Sequence, residues 1–274
     1  MAAVKNNQNM KKIIAIIVLS LCCTSMIFAQ GKGDLRVGLR IGPNFSTLYG
    51  IESDGQKIPT LFSSAERYKM KVGVRGGFVF DLGLTDVVSI QPAIYYSLQR
   101  WGSSGQFQLT DSIVLKTEEV MSMQIVQVPV LVNFRIAFKN NYQHAFVFGV
   151  GPYFSVAVQG QDVLDGSFIN QYTGESLDIR GKANFYKNQQ ISYYVTDKSG
   201  YAEEYKTSFN EHPYHRCDFG FTVAAGFELK RFYIGAACDF GVINSANAKE
   251  WEQAGIKGYS QRNLNLQATL GYYF

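Results

Sequence analysis

The stretch EHPYH places Glu211, His212 and His215 within five residues, and it is the one cluster in the chain with metal-ligating side-chain types. Two imidazoles three apart beside a carboxylate suit zinc or copper. A proline between the histidines and a loop end around them suit a solvated surface patch. We expect no metal, with Glu211, His212 and His215 as the candidate set. A larger group is Arg36, Arg40, Lys71, Arg75, Arg135, Arg216, Asp218, Glu228 and Asp239, charges that recur inside segments rich in alternating apolar residues. On one face of a sheet they would form either an ion path or a self-paired polar plug. Catalysis has little to build on. His144 has no Ser or Asp close by, and GVRGG and GVG are followed by no helix that could make them phosphate loops. We expect neither an enzyme nor a cofactor.

The elements that must carry these charges follow a period of two. The last stretch, NLNLQATLGYYF, sets Asn263, Asn265, Gln267, Thr269 and Gly271 on one parity and Leu264, Leu266, Ala268, Leu270, Tyr272 and Phe274 on the other. That is a strand with two different faces. Eight such segments run over residues 35–48, 68–82, 87–101, 120–138, 142–159, 215–229, 231–245 and 259–274. Each has at least the ~9–11 residues with which a tilted strand crosses a bilayer. Short links (GLTD, KNN, LKR) follow the second, fourth and sixth segments, and long ones follow the others, the longest being residues 160–214. Short turns at one end and long loops at the other predict an all-β, eight-stranded antiparallel up-and-down transmembrane barrel with periplasmic turns.

Glycine decides which face is inside. Gly38, Gly42, Gly73, Gly77, Gly149, Gly151, Gly220 and Gly226 share parity with the polar residues of their strands. A narrow barrel has little interior room, so positions without side chains belong inside. The charges named above then point into the lumen. Its small volume favours a packed plug, because an eight-stranded interior is just filled by side chains and charges away from water pair up. Val37, Leu39, Ile41, Val126, Val128, Val130 and Val132 point outward into lipid. Phe80, Phe138, Tyr142, Phe227, Phe232, Tyr272 and Phe274 are outward and lie beside short turns, where they would form an aromatic girdle at the periplasmic interface. A terminal aromatic such as Phe274 also suits the machinery that inserts barrels.

The chain has 274 residues, 46% hydrophobic and 14% aromatic, with 26 Gly and 6 Pro. Its net charge of +4 owes much to Lys5, Lys11 and Lys12 in a leading segment without acids, and beyond residue 29 there are 23 basic against 22 acidic residues. Nucleic acid is therefore not a partner. MKKIIAIIVLSLCCTSMIFAQ has the basic and apolar regions of a signal peptide, cut after Ala29, with Met10 as an alternative start. The domains expected are a signal peptide at 1–29 and a barrel at 30–274. Cys217 and Cys238 fall on the apolar face at different heights, which predicts free, buried thiols.

GLRIGPNFSTL, IVQVPVLVNFRI, FVFGVGPYFSVAV and CDFGFTVAAGFELK resemble successive strands of the PorT-like outer-membrane β-barrel family of Bacteroidetes. The resemblance covers about residues 35–274 and rests on strand order. It implies an outer-membrane location and, for some members, association with protein secretion.

Residues 160–214 hold eight Asp/Glu, five Lys/Arg and seven tyrosines. Tyrosine is a low-entropy contact residue, and TDKSG reads as a hairpin turn between two β-like runs. Either this segment recognises a protein partner or it extends the fifth and sixth strands above the membrane. The expectation is a monomeric outer-membrane barrel in contact with lipid, a scaffold presenting surface loops as an accessory to protein secretion or surface assembly. A small pore for ions or small solutes is the alternative.

Overall fold

A computed structural model describes residues 33–52, 69–108, 110–138, 141–184, 190–196, 202–208, 214–253, 258 and 260–274. The leading segment, and with it the expected signal peptide, lies outside these residues. Alternating sequence produces eleven strands: β1 (Leu35–Glu52), β2 (Lys69–Gly83), β3 (Val88–Gln108), β4 (Ile113–Phe138), β5 (Asn141–Asn170), β6 (Ser176–Asn184), β7 (Gln190–Thr196), β8 (Ala202–Ser208), β9 (Cys217–Leu229), β10 (Phe232–Gly241) and β11 (Ser260–Tyr273). Eight of them, β1 to β5 and β9 to β11, form an antiparallel ring in which each pairs with two neighbours. The ring closes where β1 meets β11, with Gly38 opposite Tyr273 and Asn44 opposite Gln267. Closure matters because a strand edge in lipid would leave backbone groups without partners.

The two faces separate by chemistry. Outward side chains are apolar and uncovered, among them Ile41 at 56%, Ile136 at 61% and Leu270 at 60% exposure. Inward positions are buried and largely polar, from Arg40 and Asn44 on β1 to Asn265 and Gln267 on β11. The outward apolar band ends in polar residues on the long-connection side: Arg100, Ser122 and Gln161 lie level on β3, β4 and β5. Among the described residues no helix is long and apolar enough to cross a membrane. The apolar surface belongs to the strands.

Several glycines are required by close approach. A Cβ at Gly151 would stand 1.9 Å from the Val130 carbonyl, and one at Gly220 2.0 Å from that of Phe240. Both oxygens are backbone and cannot swing away. At the tightest turn the chain reverses through Lys230, which adopts φ 59°, the left-handed region where a residue with a Cβ is uncommon.

Two regions read as loops are strand. Residues 102–119 were expected to connect two strands, yet β3 runs on to Gln108 and β4 starts at Ile113, leaving a tight turn in which Thr110 Oγ1 accepts from the Ser112 and Ile113 amides. Likewise β5 continues beyond the barrel to Asn170 and pairs there with β6, which pairs with β7, and β7 with β8. The described residues of 160–214 are thus chiefly sheet, continuous with the barrel wall. For residues 160–214 this is the strand extension that stood as one of the two expectations, and β7 and β8 flank the hairpin turn read at TDKSG. Residues 102–119 escaped a reading by period because both faces turn polar above the bilayer and the contrast between them fades. A short helix, α1 (Ala248–Gln253), lies in the connection from β10 to β11, where no helix was expected.

Candidate functional site: the barrel lumen

The lumen is layered, and each layer is set by residues facing one another around the ring. At the short-turn end Arg36 on β1 grips Glu228 on β9 with two hydrogen bonds, Nη1 to Oε2 at 3.1 Å and Nη2 to Oε1 at 2.9 Å. Arg36 Nη2 also reaches Asp81 on β2 at 2.5 Å. Arg135 on β4 completes the group, its Nη2 2.8 Å from Glu228 Oε2. These carboxylates are almost wholly buried, and two guanidinium groups offset them. Bidentate, charge-assisted bonds of this kind are short and directional.

Above them guanidinium groups stack on rings. The Arg36 guanidinium carbon lies 4.2 Å from the Tyr273 ring centroid, that of Arg40 3.8 Å from Tyr233, and that of Arg75 3.6 Å from Tyr95. The Tyr273 hydroxyl accepts from Arg40 Nη2 at 2.9 Å and Gln91 Nε2 at 3.0 Å.

Asp239 is the hub of the next layer. It accepts from Gln127 Nε2 at 3.0 Å, Thr222 Oγ1 at 2.6 Å, Asn265 Nδ2 at 3.3 Å and Gln267 Nε2, with Arg75 Nη1 3.6 Å away. Higher still, Asp218 accepts from Tyr153 at 2.9 Å and Asn263 at 3.0 Å. Asn44 donates to Ser97, and Ser46 to Asn265. Every strand of the ring contributes to this network or to the layer above it.

An apolar cap closes the long-connection end. Leu48, Trp101, Met121, Met123, Ile125, Ala157 and Tyr214 form one buried cluster. Tyr214 is held over the mouth by its bridge to Ala246, and the His215 amide donates to the Ser245 carbonyl at 2.9 Å. Just past the outward apolar band, Asp162, level with Met121 of the cap, shares a hydrogen bond with Glu119, two residues farther out on β4. Burial first, then the charge and hydrogen bond of Glu119, push the Asp162 carboxyl up to about 10.

The charges singled out in the sequence are thus distributed unevenly. Arg36, Arg40, Arg75, Arg135, Asp218, Glu228 and Asp239 come together in the lumen. Lys71 does not join them. It pairs at 3.2 Å with exposed Glu118 at the rim. Arg216 sits exposed just before β9, where its carbonyl accepts from the Ala157 amide at 2.7 Å. Both were expected inside, and both lie where the polar parity runs past the enclosed lumen. Glu211 and His212 fall outside the described residues, and His215 is exposed.

Missed altogether were Asp81 and the inward tyrosines Tyr95, Tyr153, Tyr233 and Tyr273. Parity alone assigned them inside, since Tyr273 alternates with outward Tyr272. Treating aromatics as lipid-facing hid them.

The girdle residues Phe80, Phe138, Phe227, Phe232, Tyr272 and Phe274 lie on the outer face beside the short turns. Phe232 and Phe274 flank Tyr272 with centroids 5.3 and 5.8 Å away, and Phe227 meets Phe146 at 5.3 Å. Tyr142 contributes backbone to β5, and its side chain lies outside the description. Cys217 and Cys238 are free. Both lie on the outer apolar face as expected, but neither is buried: Cys217 is exposed and Cys238 half-buried.

Among curated proteins none matches the chain. Solved structures similar to it include Ail, the attachment invasion locus protein of Yersinia pestis (11% identity, 89% of this chain and 99% of that chain, TM-score 0.33). The outer membrane protein OprG from Pseudomonas aeruginosa (10% identity, 89% and 98%, TM-score 0.37) and the outer membrane protease OmpT from Escherichia coli (10% identity, 88% and 96%, TM-score 0.27) are also similar. Likeness at these scores carries no argument. The sequence itself does: residues 28–247, spanning all but the last strand of the ring, match the family model of the outer membrane protein beta-barrel domain, and the chain belongs to that family.

Proposed function

We propose that this protein is a non-enzymatic outer-membrane barrel that does not conduct, and that it serves as the mount for an extracellular β-sheet. One observation carries the reading. The cavity at mid-lumen has a volume of about 20 Å³, room for about one water, with an apolar cap above it and the Arg36–Glu228–Arg135 group below. A solute path needs continuous water, and this lumen is filled by its own side chains. What the fold holds out to its surroundings is the sheet of β6 to β8 on the extended β4–β5 hairpin, and we assign recognition of a protein partner to it.

The strand resemblances noted in the sequence support a further part of this proposal, that the chain is PorT-like, a monomeric accessory to secretion or surface assembly exported by its leading segment. Purified protein in planar bilayers tests the central point. A silent membrane is expected. Steady single-channel steps would overturn the filled-lumen reading in favour of a small pore.

A further inference from the structure

Among the described residues the buried charges of the lumen balance in number, Arg36, Arg40, Arg75 and Arg135 against Asp81, Asp218, Glu228 and Asp239. They do not pair one to one, since Asp218 is held by Tyr153 and Asn263. Arg36 and Arg135 share Glu228, and Arg36 also holds Asp81. Arg75 has Asp239 at 3.6 Å, a carboxylate already accepting from four neutral donors. Arg40 is different. Among the described residues it makes no ion pair, and it rests on the Tyr273 hydroxyl and the faces of Tyr233 and Tyr273. It is 6% exposed, as is Arg75. Ring faces stabilise a cation only modestly, and a buried charge without a counter-charge is costly.

Two further observations fall at the same place. The Nε–H groups of Arg40 and Arg75 are buried and meet no acceptor on the protein. Those of Arg36 and Arg135 share this condition, but their charges are met by Glu228 and Asp81. Arg40 and Arg75 both line the cavity of about 20 Å³, together with Gln91, Tyr95, Tyr233 and Gln267. Unmet buried donors in native proteins mark a bound water or ion.

We propose that this cavity binds one small monovalent anion of the halide class between Arg40 and Arg75. A water would accept an N–H bond and leave the Arg40 charge uncompensated, whereas a halide does both. The size of the cavity selects against sulfate, phosphate and carboxylates, each larger than a single water. The ion does not imply conduction, because side chains pack the lumen above and below the site. It is a component of the plug, taken up as the barrel closes.

The test uses the full chain refolded in detergent micelles in sodium bromide or in sodium gluconate at equal ionic strength, since the packed site exchanges slowly. Crystals grown from bromide should show an anomalous peak between the two guanidinium groups. Binding to the folded state alone also makes stability track ligand concentration. Once the site is saturated, tenfold more bromide should raise the folded-to-unfolded ratio about tenfold over gluconate. Arg40→Gln should lose that bromide dependence. If this variant does not fold, the anomalous peak in the natural protein decides. Bromide peaks confined to the molecular surface, or identical unfolding of the natural protein in the two salts, would overturn the proposal.

Discussion

Glu228 offers the sharpest single test of the lumen. Its carboxylate accepts two hydrogen bonds from Arg36 and lies 2.8 Å from Arg135, with its side chain 2% exposed. Glu228→Gln keeps shape and volume, removes the charge, and leaves two guanidinium groups with only Asp81 between them. Each charge-assisted bond contributes roughly 1.5–3 kcal/mol. Stripping one partner from a buried ion group costs about 3–5 kcal/mol, because the remaining charge is left uncompensated. We expect a loss in that range, read as a lower urea midpoint for barrels refolded in vesicles and followed by the mobility difference between heated and unheated samples. The companion variant Arg135→Gln removes the surplus positive charge. The double variant should therefore be less damaged than the two single losses combined, by about 1–3 kcal/mol of coupling. A cost below ~1 kcal/mol for Glu228→Gln, or strictly additive losses, would refute the claim that these groups form one buried network.

Arginine at outward Val130 should cost about 2–4 kcal/mol near the midplane and at outward Leu35, beside the short turns, about 0–1; equal costs in a refolding titration would mean that the faces are misassigned. Gly151→Ala should destabilise by about 1–3 kcal/mol through overpacking against the Val130 carbonyl, while Gly76→Ala, whose Cβ would meet nothing nearer than 3.8 Å, should leave the urea midpoint nearly unchanged. Asp162 stays protonated in the fold up to about pH 10 and ionises in the unfolded chain near pH 4, so the outer β4–β5 hairpin should lose stability as pH rises across that window. Hydrogen exchange at residues 119–123 should report this, and Asp162→Asn should flatten the profile. Deleting residues 165–210 should leave a heat-modifiable barrel that has lost any protein crosslink the full chain forms in intact cells; an intact crosslink would move recognition to the wall or the other connections.

The membrane-spanning part of this fold is legible because two solvents meet the wall. Lipid demands Val130 and Val132 on one side while a crowded lumen demands Gly149, Gly151 and Gln127 on the other, so the period of two survives in the sequence. Above the bilayer water touches both faces, and the same backbone continues as KTEEV and GQDVLDG with no contrast to read. Inside the lumen, parity locates a charge and says nothing of its height. It places Arg36, Arg40 and Arg75 on one face, but only the register of the closed ring shows that Arg36 meets Glu228 while Lys71 is carried out to the rim. Aromatic residues misled for a related reason. A tyrosine serves equally at a lipid interface and as a ring for a buried guanidinium, and Tyr272 and Tyr273, adjacent in sequence, do one each.

The unbroken run of β4 and β5 out of the membrane sets a reach. From Gln124, level with the last lipid-facing residues, β4 continues to Ile113, a path of about 36 Å at 3.3 Å per residue. A floppy loop of the same length would explore many positions and would surrender that freedom on docking. A paired hairpin rooted in the wall has already surrendered it on folding. It acts as a mast that sets both the standoff and the bearing of β6 to β8. Under the proposed recognition role, a partner at one height over the cell surface would be met in one orientation while one lying at the lipid headgroups would be passed over.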